Sequence, residues 1–268
     1  MKRLVPSVPG AGRGGVRRAV RAVAALPAVL ALTAAGAGVT FAGTQRLARP
    51  AESSSPPITV TIHPRVTPNR GGTPAHPQGV HLDVRMRFGI PAAYDPPLVS
   101  RIEAWFPRGA LFEGARYPAC SQRVLVAYGP TRCPAGSILG HGTGLAMADT
   151  TPTHPQITIV GGGARRVWFY TVMTNPARVQ EPVPGTVTPL HGRWAYELSV
   201  PIPRNLQIIA GIPIVLHSLD ISAGRGTWLA TTGCPADRRW PWKALGRFTN
   251  GQQIATHGAL ACRPARGA

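Results

Sequence analysis

Residues 80–88 alternate without a break. Val80, Leu82, Val84, Met86 and Phe88 are apolar, and His81, Asp83, Arg85 and Arg87 between them are polar or charged. A period of two with one apolar face is the pattern of a half-buried β-strand. Ser100, Ile102, Ala104 and Phe106 alternate with Arg101, Glu103 and Trp105 in the same way, less cleanly. Strand-like runs at 58–63, 124–128, 156–160, 166–174, 194–200, 212–221 and 227–231 extend the series. Near the end, Trp240, Trp242, Ala244, Gly246 and Phe248 share one face. Asn250-Gly251 follows, a dipeptide suited to a two-residue hairpin turn, and 254–262 reads as the return strand.

These runs predict an all-β fold: a single antiparallel β-sandwich, Ig-like or jelly-roll-like, of about ten short strands. The glycines and prolines agree with it. The chain has 31 Gly and 29 Pro in 268 residues, and beyond the N-terminal segment its longest stretch free of both is 164–175. Both residues are poor helix interiors, so a helical bundle or coiled coil is excluded. The 44% hydrophobic content is enough for a core, so the Gly and Pro read as punctuation between strands. Two Pro-rich segments, 64–77 and 176–189, read as long surface loops.

The start of the chain has a different pattern. Lys2, Arg3, Arg13, Arg17, Arg18 and Arg21 are followed by an uncharged, Ala-rich stretch from 22 to 43. A basic flank before an apolar run is the layout of an export signal. The same run, about 20 residues long, is also the length of an uncleaved membrane anchor. Both readings place the remainder outside the cytoplasm. The predicted organisation is an export signal or anchor helix over 1–43, a flexible tether over 44–57, a disulfide-bonded domain over 58–263 and a tail over 264–268.

There are four cysteines: Cys120, Cys133, Cys234 and Cys262. An even count in an exported chain reads as disulfides. Three pairings are open; the local one, Cys120–Cys133 and Cys234–Cys262, is favoured because each pair brackets a turn region. Zinc-ligand spacing of the CxxC kind is absent. The first pair lies in Cys120…Gly129-Pro130…Cys133-Pro134-Ala135-Gly136-Ser137…Gly140-His141-Gly142, the second in Cys234-Pro235…Trp240…Asn250-Gly251…Cys262. Together these blocks resemble a family of uncharacterised exported proteins of actinobacteria. The resemblance implies an exported, β-rich domain with two local disulfides. It implies no activity, and no catalytic residue is carried over from it.

Candidate chemistry is sparse. The glycine-rich run Gly140–Gly144 lacks the helix that a phosphate cradle needs, and reads as a bulged strand or bend. His76, His81 and Asp83 are metal-ligand types, but Arg85 and Arg87 share the face of His81 and Asp83 and disfavour a cation, so the block reads as a solvated face and no metal or cofactor is expected. No Gly-x-Ser-x-Gly elbow of a serine hydrolase occurs. Glu103 and Glu113 are the carboxylates to test as a glycosidase pair. Trp194 with Tyr196, and Trp240 with Trp242, read as core. Trp105, on a face with Arg101 and Glu103, is the candidate ligand-binding tryptophan.

Charge adds partners. The chain carries +19, and the 1–42 segment holds six basic residues and no acid, which leaves +13 on the remainder. Anionic cell-wall polymers, glycans or lipid headgroups are the partners such a surplus suits; nucleic acid is not expected, since no recognition motif occurs. The reading is a secreted or envelope-attached, non-catalytic domain with a structural or binding role. The alternative is an extracellular glycan hydrolase using Glu103 and Glu113.

Overall fold

The computed structural model describes residues 58–91 and 95–265. The expected export segment over 1–43, the tether over 44–57 and most of the tail lie outside the described residues.

In chain order the strands are β1 (Thr59–Thr67), β2 (Gln78–Gly79), β3 (His81–Gly89), β4 (Val99–Pro107), β5 (Ala110–Phe112), β6 (Ile138–Ala148), β7 (Thr151–Thr153) and β8 (Gln156–Gly161). They continue with β9 (Arg166–Met173), β10 (Val179–Pro189), β11 (Trp194–Pro201), β12 (Ile208–Ile209), β13 (Ile212–Ala223), β14 (Leu229–Thr231), β15 (Arg239–Phe248) and β16 (Gln253–Ala261). Two short helices, α1 (Gln122–Tyr128) and α2 (Arg204–Gln207), interrupt them.

The all-β antiparallel expectation holds; the two-sheet sandwich does not. Eleven strands form one continuous sheet in the order β1-β3-β13-β6-β8-β9-β10-β11-β4-β15-β16. Its two edges meet. Arg70, just past β1, bridges Arg263, just past β16, in parallel, with Gly71 N donating to Arg263 O at 2.8 Å and Arg263 N donating to Asn69 O at 2.8 Å. The result is a barrel-like, nearly closed sheet. Period-two alternation cannot separate a barrel from a sandwich, because each buries one face of every strand. Closure removes the exposed edges that a sheet this wide would otherwise present.

Three clusters fill the inside. One gathers Ala146, Met173, Val183, Val200, Leu206, Ile209 and Ile214; the second Ile62, Met86, Phe88, Val99, Ala244 and Phe248; the third Leu139, Ile157, Ile159, Val167 and Trp228. The outside is polar: His63, Arg65, Asp83, Arg85, Arg87 and Asp220 stand between these inward positions. Apolar inside and charged outside is the reverse of a membrane-spanning barrel. Among the described residues no helix is long and apolar enough to cross a membrane.

Each end is lidded. The loops that join β3 to β4, β9 to β10, β11 to β13 and β15 to β16 lie at one end, called the lower end below, where α2 and β12 tuck Leu206 and Ile209 into the first cluster. The upper end carries a small sheet, β2-β14-β5. Its Phe112 meets Trp228 edge-on, ring centroids 5.4 Å apart.

Four local expectations are corrected. Residues 124–128 form helix α1 rather than a strand, because Ser121 Oγ accepts from Val124 N at 3.3 Å and caps its start. The helix seats Leu125 on Val160, Trp168 and Tyr170 on the outer wall. The loop expected over 176–189 contains strand β10. Its Pro182 and Pro184 pair with β9 alone, since β11 joins only Thr186–Pro189; proline is tolerated where one edge of a strand carries no ladder. The loop expected over 64–77 starts later, as β1 runs through Pro64 to Thr67 on the barrel's edge. The β15–β16 connection is a four-residue loop rather than a two-residue turn: Phe248 N donates to Gln252 O at 3.0 Å, and only Gly251 takes positive φ, 85°. The expected bulge near Gly140 is present, as a register shift between Ile138 and Gly140 in the β6–β8 pairing.

Both disulfides are local: Cys120–Cys133 and Cys234–Cys262, with Cα–Cα separations of 5.3 and 5.8 Å. They are consistent with an extracytoplasmic location. The first ties the α1 excursion to the wall, where Trp168 Nε1 donates to Cys120 O at 3.1 Å. The second ties the β14–β15 turn to the end of β16. Among the described residues every strand of the barrel finds its ladder partners within 58–265.

Candidate functional site

The barrel interior holds a cavity of about 370 Å³. Its wall comes from inward positions of nearly every strand, with Met86, Ile102, Ile157, Phe169, Leu198 and Trp242 among the lining residues, and from the two lids through Leu206 and Trp228. Its polar side chains are few and mostly satisfied by the protein itself. Thr231 Oγ1 donates to Arg70 O at 2.9 Å, Thr171 Oγ1 to Phe169 O at 3.2 Å, Gln207 Nε2 to Ile202 O at 2.6 Å and Trp240 Nε1 to Gly233 O at 3.1 Å. Trp228 Nε1 is buried and has no acceptor among the described residues. Among the described residues no acid lines the cavity. An apolar space of this kind gains by holding apolar matter.

Among the described residues no ladder joins β1 to β16, only the Arg70–Arg263 bridge beyond their ends. A second cavity, about 360 Å³, lies there between Pro64–Asn69 and Leu260–Ala261. It shares Pro64, Val66 and Leu260 with the interior. Pro64 has no N–H to offer a ladder, and the edges pair only at the upper end, through Arg70 and Arg263.

Of the residues singled out from the sequence, Trp105 is among those that line the cavity, while Arg101, Glu103, Glu113, His76, His81 and Asp83 lie elsewhere. Glu103 points to the outer face of β4, where it is buried: Arg247 Nε donates to its Oε2 at 2.8 Å, and Arg101 Nη1 stands 4.0 Å from its Oε1. Trp105 is half-buried on the same strand, with Lys243 Nζ 4.5 Å from its ring centroid, a cation–π contact. So Arg101, Glu103 and Trp105 do share a face, and that face is already occupied by β15 side chains. Glu113 lies beyond β5 at the upper lid and pairs with Arg116 at 2.9 Å; no hydrogen bond or ion pair among the described residues joins it to Glu103.

His81 and Asp83 meet on the outer wall through Ser222, whose Oγ lies 2.7 Å from His81 Nε2 and donates to Asp83 Oδ1 at 2.6 Å. Asp83 approaches the same ring nitrogen, at 3.5 Å, so it does not orient the far side of the imidazole as a triad acid would. Arg87 holds Asp220 beside them through two hydrogen bonds of 2.9 and 3.0 Å, and that pairing raises the arginine's pKa above its ordinary value. His76 lies in the β1–β2 loop. Among the described residues no three His, Cys, Asp or Glu converge as metal ligands.

The cavity itself escaped the sequence reading. Each alternating strand announced an inward face; whether those faces meet or leave a space depends on how many strands the sheet closes with. Compared with family models, curated proteins and solved structures, the chain matches none.

Proposed function

We propose that this protein is an exported, non-catalytic binding protein of the cell envelope or extracellular space that holds an apolar, lipid-like molecule inside its barrel. The observation that carries this reading is the interior cavity of about 370 Å³ with its almost wholly apolar lining. Pockets for small ligands run roughly 300–1,000 Å³ and are mostly apolar. The cavity's own polar groups are mostly spoken for by backbone carbonyls, so recognition rests on shape and burial. An acyl chain suits such a space. A sugar does not, because its hydroxyls would meet no free partner.

The export half of the reading is supported by the two disulfides, by the basic-then-apolar N-terminal layout and by the resemblance to exported actinobacterial proteins. The test is titration with a fluorescently labelled long-chain fatty acid. Saturable binding that an unlabelled fatty acid displaces is expected. A soluble glucan that displaces the probe, or a probe that never saturates, would overturn the assignment.

A further inference from the structure

The arginines are not spread evenly over the barrel. Arg108, Arg165, Arg193, Arg225 and Arg238 come from five separate connections scattered over 130 positions of sequence. The register of the sheet brings all five to the upper end: β4 leads out through Arg108, β8 turns into β9 at Arg165, β10 into β11 at Arg193, β13 into β14 at Arg225 and β14 into β15 at Arg238. All five are exposed, and none forms an ion pair among the described residues. The acids at that end are engaged: Glu113 holds Arg116, and Asp237 Oδ1 accepts from Arg239 N at 3.1 Å. The lower end is balanced, with Arg178 and Arg204 against Asp95, Asp149 and Glu181.

We propose that this cationic rim is a docking surface for an anionic lipid bilayer, on which the barrel stands upper end down. A ring of like charges around one end, in excess over the acids there, is a field aimed at an anionic plane. Guanidinium groups suit phosphodiester headgroups, whose oxygens they engage two at a time. A second feature selects a bilayer over a soluble polyanion. The unladdered seam beside Pro64 runs along the half of β1 that ends at this rim, and the cavity there shares Pro64, Val66 and Leu260 with the lining of the barrel interior. The end that would face the headgroups therefore carries the seam cavity, next to residues that also line the apolar interior. The choice of lipid rests on the proposed apolar cargo; the charge asymmetry does not.

The experiment is co-sedimentation of a form beginning at Ser53, which omits the apolar N-terminal run and keeps the whole barrel, with phosphatidylcholine vesicles with and without phosphatidylglycerol. Two charge-matched double variants are compared: Arg165→Glu with Arg225→Glu at the upper end, and Arg178→Glu with Arg204→Glu at the lower end. Partition should require phosphatidylglycerol and weaken with salt. The upper pair should lower it about twentyfold or more, the lower pair by less than about threefold. Equal losses from the two pairs, equal binding to neutral vesicles, or capture by soluble teichoic acid without vesicle binding would each overturn the proposal. Fatty-acid binding without vesicles, read on the same variants, should be unchanged in both pairs. That readout separates failure of the rim from failure of the cavity.

Discussion

Arg70 and Arg263 pair in parallel, and they can pair in no other way. Eleven strands, each antiparallel to the next, leave the first and last running in the same direction. The barrel therefore closes through its one parallel contact, which is short, with Gly71 directly beside it. A Cβ on Gly71 would stand 2.6 Å from the Gly233 carbonyl carbon. Gly71→Ala should cost about 1–3 kcal/mol, as overpacking does, and denaturant titration will measure it. An unchanged midpoint would mean that the closure contributes nothing to stability.

The second disulfide sits at the same closure. Cys234 and Cys262 are 28 residues apart, and the first pair 13. Loop entropy assigns about 3.6 kcal/mol to the longer loop and about 3 kcal/mol to the shorter. Paired Cys→Ser variants, compared by denaturation, should lose stability in that order. The longer loop's variant should also increase amide exchange in β1 and β16, while the shorter loop's should affect α1.

Trp228 places a buried indole N–H in the cavity wall with no acceptor. Leaving such a donor unpaired costs about 1–3 kcal/mol. Trp228→Phe should thus be neutral or stabilising despite its smaller ring. Trp228→Ala removes the packing against Phe112 and should cost about 3–5 kcal/mol. A loss above about 2 kcal/mol for the phenylalanine variant would show that the indole does have a partner.

Glu103 acts as the anchor of an outer-face arginine pair. Glu103→Ala should cost about 1–3 kcal/mol through its lost charged hydrogen bonds. Arg247→Ala should cost more than Arg101→Ala, because Arg247 makes the 2.8 Å contact and Arg101 stands at 4.0 Å. Thermal denaturation of the three variants gives the ranking.

Tyr170 lies under α1, and burial holds its phenol above its ordinary pKa, with Arg178 partly opposing. The folded state then keeps a proton that the unfolded chain loses. Stability is fully present below the unfolded phenol's value of about 10 and falls as pH rises from there through the raised folded value. Tyr170→Phe should flatten that alkaline decline in a pH series of denaturation midpoints.

How much of this was legible follows from the kind of signal each part leaves. β3 and β15 bury one face and alternate cleanly, so both stood out as strands. β10 did not, because Pro182 and Pro184 read as loop until the missing ladder on its β11 side is known. Leu125 belongs to a helix because Ser121 caps it and Trp168 and Tyr170 lie beneath; the apolar run alone suited a strand equally well. Cys120 with Cys133 and Cys234 with Cys262 were legible because each pair is local. Glu103 and Trp105 stand two apart on β4, but the side chains that meet them, Arg247 and Lys243, come from β15, about 140 residues away. The arginine rim has the same character: Arg108 and Arg238 are neighbours in the fold only through the strand order.

The central claim is the apolar binding space, and filling it is the most direct measurement. Ala104→Leu and Ala146→Leu each add a branched side chain at an inward wall position. Affinity for a labelled long-chain fatty acid should fall about tenfold or more in each, while Arg85→Ala on the outer wall leaves it unchanged; ordered circular dichroism should persist in all three. Undiminished binding in both filled variants would place the ligand outside the barrel and contradict the account.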